Sequence, residues 1–455
     1  MAASAAGKGA GSAAAAAAAP GSGLPSFLRS LLEHVQEQAL RAPSDRVKQR
    51  ILRLFHCIAP RFTGRYTGAE ALDIDLNVVR PLCADGVPDE VPALRAALWK
   101  VLLGYLPPDA FTWDEALKTA DKSHGELVED LIRELGARAE KAGTEEARKP
   151  LKATDSGSEE LLEDVLDQIA KDVFRTRPEL DLFARRLDGE SVQSGREALG
   201  QLELAQPTHH YDVIGRVLLL YARVNPGVRY VQGMNELCAP LYFLFVQDPL
   251  RGHAAEVDTF FCFSLLMADM RDSFVKSLDD SENGMLGRIE QFSALLREKD
   301  EEVWLHLDKL QVQPIYFTLR WLTLMLTQEL MMPDVLRLWD ALLSDMARPH
   351  SLLLYICVAM VQEVRVGLLE GDFTACLGLL QRYPPISVDV LLQAARELRA
   401  ADLVPEGFSN RDSAVADVHP LLQSAAAAAV ARFGGLASWW QSRPEDADGP
   451  VGDPI

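Results

Sequence analysis

The sequence contains no GxxxxGK[ST], no HExxH and no GxSxG. These absences exclude a Walker-loop nucleotide site and leave no pattern for a zincin-type metal or a hydrolase nucleophile. Its six cysteines (Cys57, Cys83, Cys238, Cys262, Cys357 and Cys376) form no CxxC pair and no disulfide-framework spacing, as expected of reduced thiols in a cytosolic chain. The adjacent His209 and His210 precede a helical pattern without a ligand set beside them, which fits a capping or surface feature better than a metal site. Long apolar runs are missing too. The longest stretches, 349–362 and 234–247, the second broken by Glu236, fall short of the ~18 residues needed to span a bilayer. The chain is therefore expected to be soluble or peripheral. Basic residues are outnumbered, 46 Lys and Arg against 66 Asp and Glu for a formal charge of −20, which disfavours duplex nucleic acid as the main partner.

What is present is an ordinary globular composition, 48% hydrophobic and 25% charged, sufficient for a sizeable core. Beyond Gly86, apolar runs of helical period recur between Pro and Gly punctuation, and strand-like alternation is rare. The expected fold class is all-α. The period predicts helices over 92–105, 113–141, 159–175, 211–224, 234–246, 254–272, 283–297, 301–310, 315–327, 333–344, 351–366, 372–381 and 387–400. No repeat of fixed length appears, which argues against a solenoid.

The ends differ from the middle. Residues 1–24 are an Ala/Gly/Ser tract that cannot offset its own ordering entropy and are read as disordered. The lack of acidic residues up to Leu32 also suits an organelle transit peptide, against which the scarcity of Arg weighs. Residues 25–69 are expected to form a helical extension, with Phe27, Leu28, Leu31, Leu32 and Val35 on one face and a second helix running from an N-cap at Ser44 through Val47, Ile51, Leu54, Phe55 and Ile58. Residues 1–60 carry seven basic and three acidic residues. A basic amphipathic helix at 44–58 is of a kind that rests on an anionic membrane or binds a partner, while docking on its own domain is the plainer reading. Residues 142–158 read as a polar linker and 188–207 as another long connection. The segment 401–455, with three basic and eight acidic residues, an Ala run at 425–429 and Trp439-Trp440, reads as mostly disordered; the Trp pair is either a docking motif or folds back on the domain.

Two polar groups occupy unusual places. Ile169-x-x-Asp172-x-x-Arg175 ends a helical pattern three residues before Pro178, so the helix should stop near Thr176 or Arg177. Arg175 then projects past the helix end, with Asp172 one turn earlier to hold its guanidinium. The plain reading, an Arg favourably placed against the helix dipole in a commonplace ion pair, is strong for this motif alone. The second group is Tyr230-Val231-Gln232-Gly233-Met234-Asn235, which lies between an Asn225-Pro226-Gly227 turn and an apolar helix. Gln232 offers a donor and an acceptor, which suits orienting a water, unless it merely caps the helix or bonds the turn.

Together these segments resemble the signature of the TBC family of Rab GTPase-activating proteins, whose motifs IxxDxxR and YxQ occur in that order. The family's opening motif is matched by Gly86-Val87-Pro88, Arg95 and Trp99-Lys100, and its C-terminal pattern by Arg320-Trp321-Leu322-Thr323 and Pro333 to Asp340. The stretches 255–274, 275–280 and 368–373 resemble in particular the subgroup of TBC domain family member thirteen. The resemblance spans about residues 70–400, and four ordered motifs over some 250 residues make it specific.

The resemblance implies a multi-helix TBC-type domain at 70–400 with flexible N- and C-terminal extensions. It implies a GTPase activator whose catalytic groups act in trans on a GTP-bound Rab, in the cytoplasm and peripherally at endomembranes, in the regulation of vesicle trafficking. Arg175 would be the arginine finger and Gln232 the glutamine finger. Asp172 would orient Arg175, while Tyr230 and Asn235, beside Ile169 and Gly233, would support the glutamine loop or touch the GTPase. No cofactor is expected of the chain itself, because GTP and Mg²⁺ arrive with the GTPase. An arginine supplied in trans is worth ~10³ to 10⁵ in rate, roughly 4–7 kcal/mol of barrier. Lys171, Arg175 and Arg177 against Asp172 read as a locally basic surface that favours approach to a triphosphate. Gly86, Pro88, Arg95, Trp99, Trp321 and Trp339 read as structural, and Arg320, Arg337 and Asp340 either as a buried ion-pair network or as part of the GTPase-facing surface. The competing expectation is a non-catalytic Rab-binding scaffold, which loss of either finger would favour.

Overall fold

Two mostly apolar runs of the sequence, one of them broken by Glu236, become helices packed deep among the others. In the computed structural model, which describes residues 25–58, 74–142, 156–187, 206–270, 284–345 and 351–403, these runs form Met234–Val246 and Ser351–Glu363. The first buries eleven of its thirteen residues, so neither side faces water and the usual polar face is missing. Among the described residues there is no strand and no helix long and apolar enough to cross a membrane.

The chain order is α1 (Ser26–Arg41), α2 (Asp45–Ile58), α3 (Leu76–Ala84), α4 (Pro92–Leu102), α5 (Trp113–Ala142), α6 (Ser156–Phe174), α7 (Asp181–Ala184), α8 (His210–Val224) and α9 (Met234–Val246). After these come α10 (Ala255–Met270), α11 (Met285–Lys299), α12 (Glu301–Lys309), α13 (Ile315–Thr323), α14 (Met332–Ser344), α15 (Ser351–Glu363), α16 (Arg365–Glu370), α17 (Phe373–Gln381) and α18 (Val388–Leu403). One continuous buried cluster runs from Leu28 of α1 to Ala395 of α18. Within it α9 packs on α10 and α8, α15 on α18, and α14 on α3, α4 and α9.

The helical period located most elements to within a few residues. Three were absent from it: α3, a nine-residue helix with Pro81 inside it, the single turn α7, and α16, which lies between the predicted 351–366 and 372–381. One predicted helix was too long, since 315–327 ends at Thr323 and the chain turns back through Met325 and Leu326, both left-handed at φ 48° and 61°. The tract 1–24, the linker residues 143–155, the connection 188–205, the stretch 275–280 and the acidic segment from 404 with Trp439-Trp440 lie outside the described residues.

The basic helix α2 docks on its own domain. Ile51, Leu54, Phe55 and Ile58 are buried, and Arg50 Nε donates to the Gly86 carbonyl at 2.7 Å, so the apolar face is already covered. Helix α1 is seated by Asp114, whose carboxylate accepts the backbone N–H groups of Ser26 and Phe27, the latter at 2.9 Å. The Phe27 ring lies 5.8 Å from the buried Lys100 ammonium, which pairs with Asp258 at 2.5 Å.

Helix α14 joins the early and late parts of the chain through one buried carboxylate. Asp340 accepts from Val87 N–H at 2.7 Å, from Trp99 Nε1 at 2.8 Å and from Arg95 at 3.2–3.3 Å. Arg95 also donates to Asp89 at 2.5 Å and to the Val87 carbonyl. Trp99 and Trp339 pack over this pair with ring centres 5.9 Å apart. Gly86 turns the preceding loop at φ 98°, and a Cβ there would lie 2.7 Å from Arg337 Nε. Arg320, Arg337 and Asp340 do not form one network: Arg320 pairs with Glu329 and Arg337 with Asp389. Replacing Asp340 with Ala strands the buried Arg95 charge, and should destabilise the protein by about 3–5 kcal/mol. Chemical denaturation should show a lowered midpoint with the slope unchanged; a midpoint within error of the parent would remove Asp340 from the frame.

Candidate functional site

The site is built at the end of α6. Ile169 is wholly buried and anchors the helix, and the last turn then tightens, with Arg175 N–H donating to the Asp172 carbonyl and Thr176 N–H to that of Val173, both at 3.1 Å. Thr176 Oγ1 donates to the Asp172 carbonyl at 2.9 Å, satisfying an acceptor that the helix end leaves open. Arg175 therefore stands just past the helix, with its side chain 57% exposed. Its Nε donates to the Lys171 carbonyl at 3.1 Å and its Nη2 lies 3.5 Å from Asp172 Oδ1, so the base of the side chain is held while its end faces solvent.

Asp172 points inward. It is 6% exposed and accepts a hydrogen bond from the Tyr230 hydroxyl at 2.7 Å, across 58 residues of sequence. Burial pushes its carboxyl above the ordinary carboxylate range, against the opposing pull of the Tyr230 hydrogen bond and the Arg175 charge. Burial and the neighbouring carboxylate likewise push the Tyr230 phenol well up, so it remains a donor. Asn235, in the first turn of α9, closes the network: it donates to Thr176 Oγ1 at 2.9 Å and accepts from Tyr230 Oη at 3.3 Å and from Gly233 N–H at 3.2 Å. Tyr230 and Asn235 are both buried, so they support the loop and do not present a surface to a partner.

The loop they support carries Gln232, which is half-buried and whose side chain forms no hydrogen bond among the described residues. Gly233 follows at φ 102°, where a Cβ would lie 2.9 Å from Leu324 Cδ2. A residue with a side chain is strained at this angle and must also push the Leu324 methyl aside. The two motifs are thus brought together by their inward residues, Asp172 and Thr176 from the one and Tyr230 and Asn235 from the other.

Arg177 departs from the sequence reading, which counted it as a surface charge. It is buried at 6% exposure because its guanidinium donates to the Leu330 carbonyl and Glu179, at 3.0 and 3.1 Å, and to the Thr327 carbonyl. Nothing in the local pattern RTRP signalled this, since the two carbonyls that hold it lie some 150 residues away. His209 and His210 open α8, where the Asp212 carboxylate accepts from Thr208 N–H and His209 N–H at 2.8 and 2.7 Å, in keeping with a capping role. Among the described residues no cluster of His, Cys, Asp or Glu is suited to hold a metal.

Gly233→Ala should lower stability by about 1–3 kcal/mol through backbone strain, read as a fall in thermal melting. Asp172→Asn should melt no lower than the parent at pH 7, because a carboxyl with a raised folded-state pKa costs stability when ionised. As the pH falls through that raised value, Asp172 takes up its proton and any difference should close; a gap that widens on acidification would contradict the burial argument.

Comparison with known proteins adds to this geometry. Residues 92–369 match the Rab-GTPase-TBC domain family model. The chain is 36% identical over 380 residues to human TBC1 domain family member 13, covering 72% of this chain and 94% of that protein. It is 27% identical over 437 residues to a TBC domain-containing protein of Schizosaccharomyces pombe, covering 72% of this chain and 70% of that one. Among solved structures, the crystal structure of the Ypt/Rab-GAP domain of Gyp1p superposes with a TM-score of 0.57 at 21% identity, over 77% of this chain and 99% of that domain, which is a likeness of fold.

Proposed function

The chain belongs to the Rab-GTPase-TBC domain family, and from that premise we propose that it accelerates GTP hydrolysis by GTP-bound Rab-type GTPases with Arg175 and Gln232. The observation that carries this reading is the pair itself: an exposed arginine and a half-exposed amide without an internal partner, each rooted in the same buried network. Nucleotide and Mg²⁺ belong to the GTPase and supply the phosphoryl chemistry.

What this chain contributes is placement. Arg175 brings a delocalised, permanently charged guanidinium to the oxygens on which negative charge develops. Asp172, paired with it at 3.5 Å, limits where the guanidinium can swing. Gln232 accepts from and donates to a water in line with the γ-phosphate, the task for which a neutral amide is suited. Because Tyr230 and Asn235 hold both segments beforehand, little ordering is left to be done when the GTPase binds. The protein would act from the cytoplasm on GTPases at endomembranes, in the regulation of vesicle trafficking.

The test is GTP hydrolysis by a panel of purified Rab GTPases. The parent should accelerate a subset, Arg175→Ala should lose about 10³-fold or more, and Gln232→Ala about 10²-fold, with melting temperatures unchanged. Acceleration that survives both substitutions would defeat the two-finger mechanism. Binding without acceleration by the parent would establish the scaffold in its place.

A further inference from the structure

Two residues beyond Arg175 the chain carries a second arginine whose setting is the opposite. Arg177 sits at φ 45°, a region that side-chain-bearing residues seldom adopt, immediately before Pro178. A long cationic residue is held there, out of water, only because its surroundings over-determine it. One guanidinium spans three parts of the site. Nη1 and Nη2 donate to the Leu330 and Thr327 carbonyls of the 324–331 segment, and Nε lies 3.6 Å from Oε2 of Glu236, buried in the first turn of α9 four residues after Gln232. The segment it grips is itself constrained, with Met325 and Leu326 left-handed and Leu324 against Gly233. The Asp172, Tyr230 and Asn235 bonds join the two motifs directly, and Arg177 joins them again through this segment.

We propose that Arg177 is a positioning residue for the GTPase-activating reaction, fixing the turn that carries Arg175 to the helix that follows Gln232 through Thr327, Leu330 and Glu236. The inference rests on the activating function proposed above. It requires arginine specifically, because a planar fork reaches two carbonyls and a carboxylate at once, whereas a lysine ammonium neutralises Glu236 without spanning them. Glu236 also explains why simple deletion is uninformative: its carboxyl is pushed up by burial and drawn back first by Arg177, so removing Arg177 alone leaves a buried carboxyl without its counter-charge, whereas Arg177 keeps Glu179 at 3.1 Å when Glu236 is removed.

The experiment compares the parent, Arg175→Ala, Arg177→Lys and the double variant Arg177→Met with Glu236→Gln, on a Rab GTPase that the parent accelerates. Each is followed by kcat and KM separately and by thermal melting. The double variant removes both buried charges and should melt close to the parent. Both it and Arg177→Lys should lose about 10- to 100-fold in kcat, with KM within about threefold. Full kcat in the lysine variant, or recovery of kcat together with stability in the double variant, would overturn the proposal, since Arg177 would then only balance Glu236. A rise in KM at unchanged kcat would overturn it as well. A well-folded parent that accelerates no Rab would instead refute the activating function, and the positioning role with it.

Discussion

A carboxylate cannot be taken out of water without partners, and at Asp172 the partners come from another part of the chain. The Tyr230 hydroxyl reaches it at 2.7 Å, Asn235 binds the Thr176 hydroxyl that caps the same helix end, and Arg175 approaches from the solvent side. Meeting of the two motifs is therefore a condition of burying any of these groups. The outward residues inherit their positions from inward ones, which explains how an exposed arginine and a half-exposed glutamine can be held without being used up in internal bonds.

The same physics governs what could be read in the sequence. Apolar period located α9 and α15 because a helix buried on all sides leaves an unmistakable run, and the match of 92–369 to the family agrees with the resemblance drawn from short motifs. Helix ends were less legible. The extension of α13 to residue 327 failed because Met325 and Leu326 take left-handed angles that their side chains do not advertise, as a glycine would. Asp172, Tyr230, Gly233 and Asn235 were named from their pattern, yet their mutual bonds rest on contacts that no local window contains. Arg177 and Asp340 are the clearest cases. The carbonyls that hold Arg177 and the arginine that pairs with Asp340 lie about 150 and 245 residues away, so a local reading took the first for a solvent charge and left the second undecided.

Removing Arg177 from the surface changes the electrostatic picture of the site. That leaves Lys171 and Arg175 as the cations the segment turns to solvent, each beside a carboxylate, Asp167 at 2.6 Å and Asp172 at 3.5 Å. In a chain of formal charge −20, long-range attraction to a triphosphate is then modest. Selectivity for a partner must come more from fit at short range than from steering.

The seating of α1 and α2 bears on where this domain begins. The family match starts at residue 92, but Leu28, Leu31, Ile51 and Phe55 belong to the same buried cluster as Trp99 and Trp339. Phe27 also covers the side chain of Lys100. A fragment cut at the family border would present that apolar surface to water and be prone to association. The continuous buried core thus starts at Leu28, well upstream of the border that family likeness alone would draw.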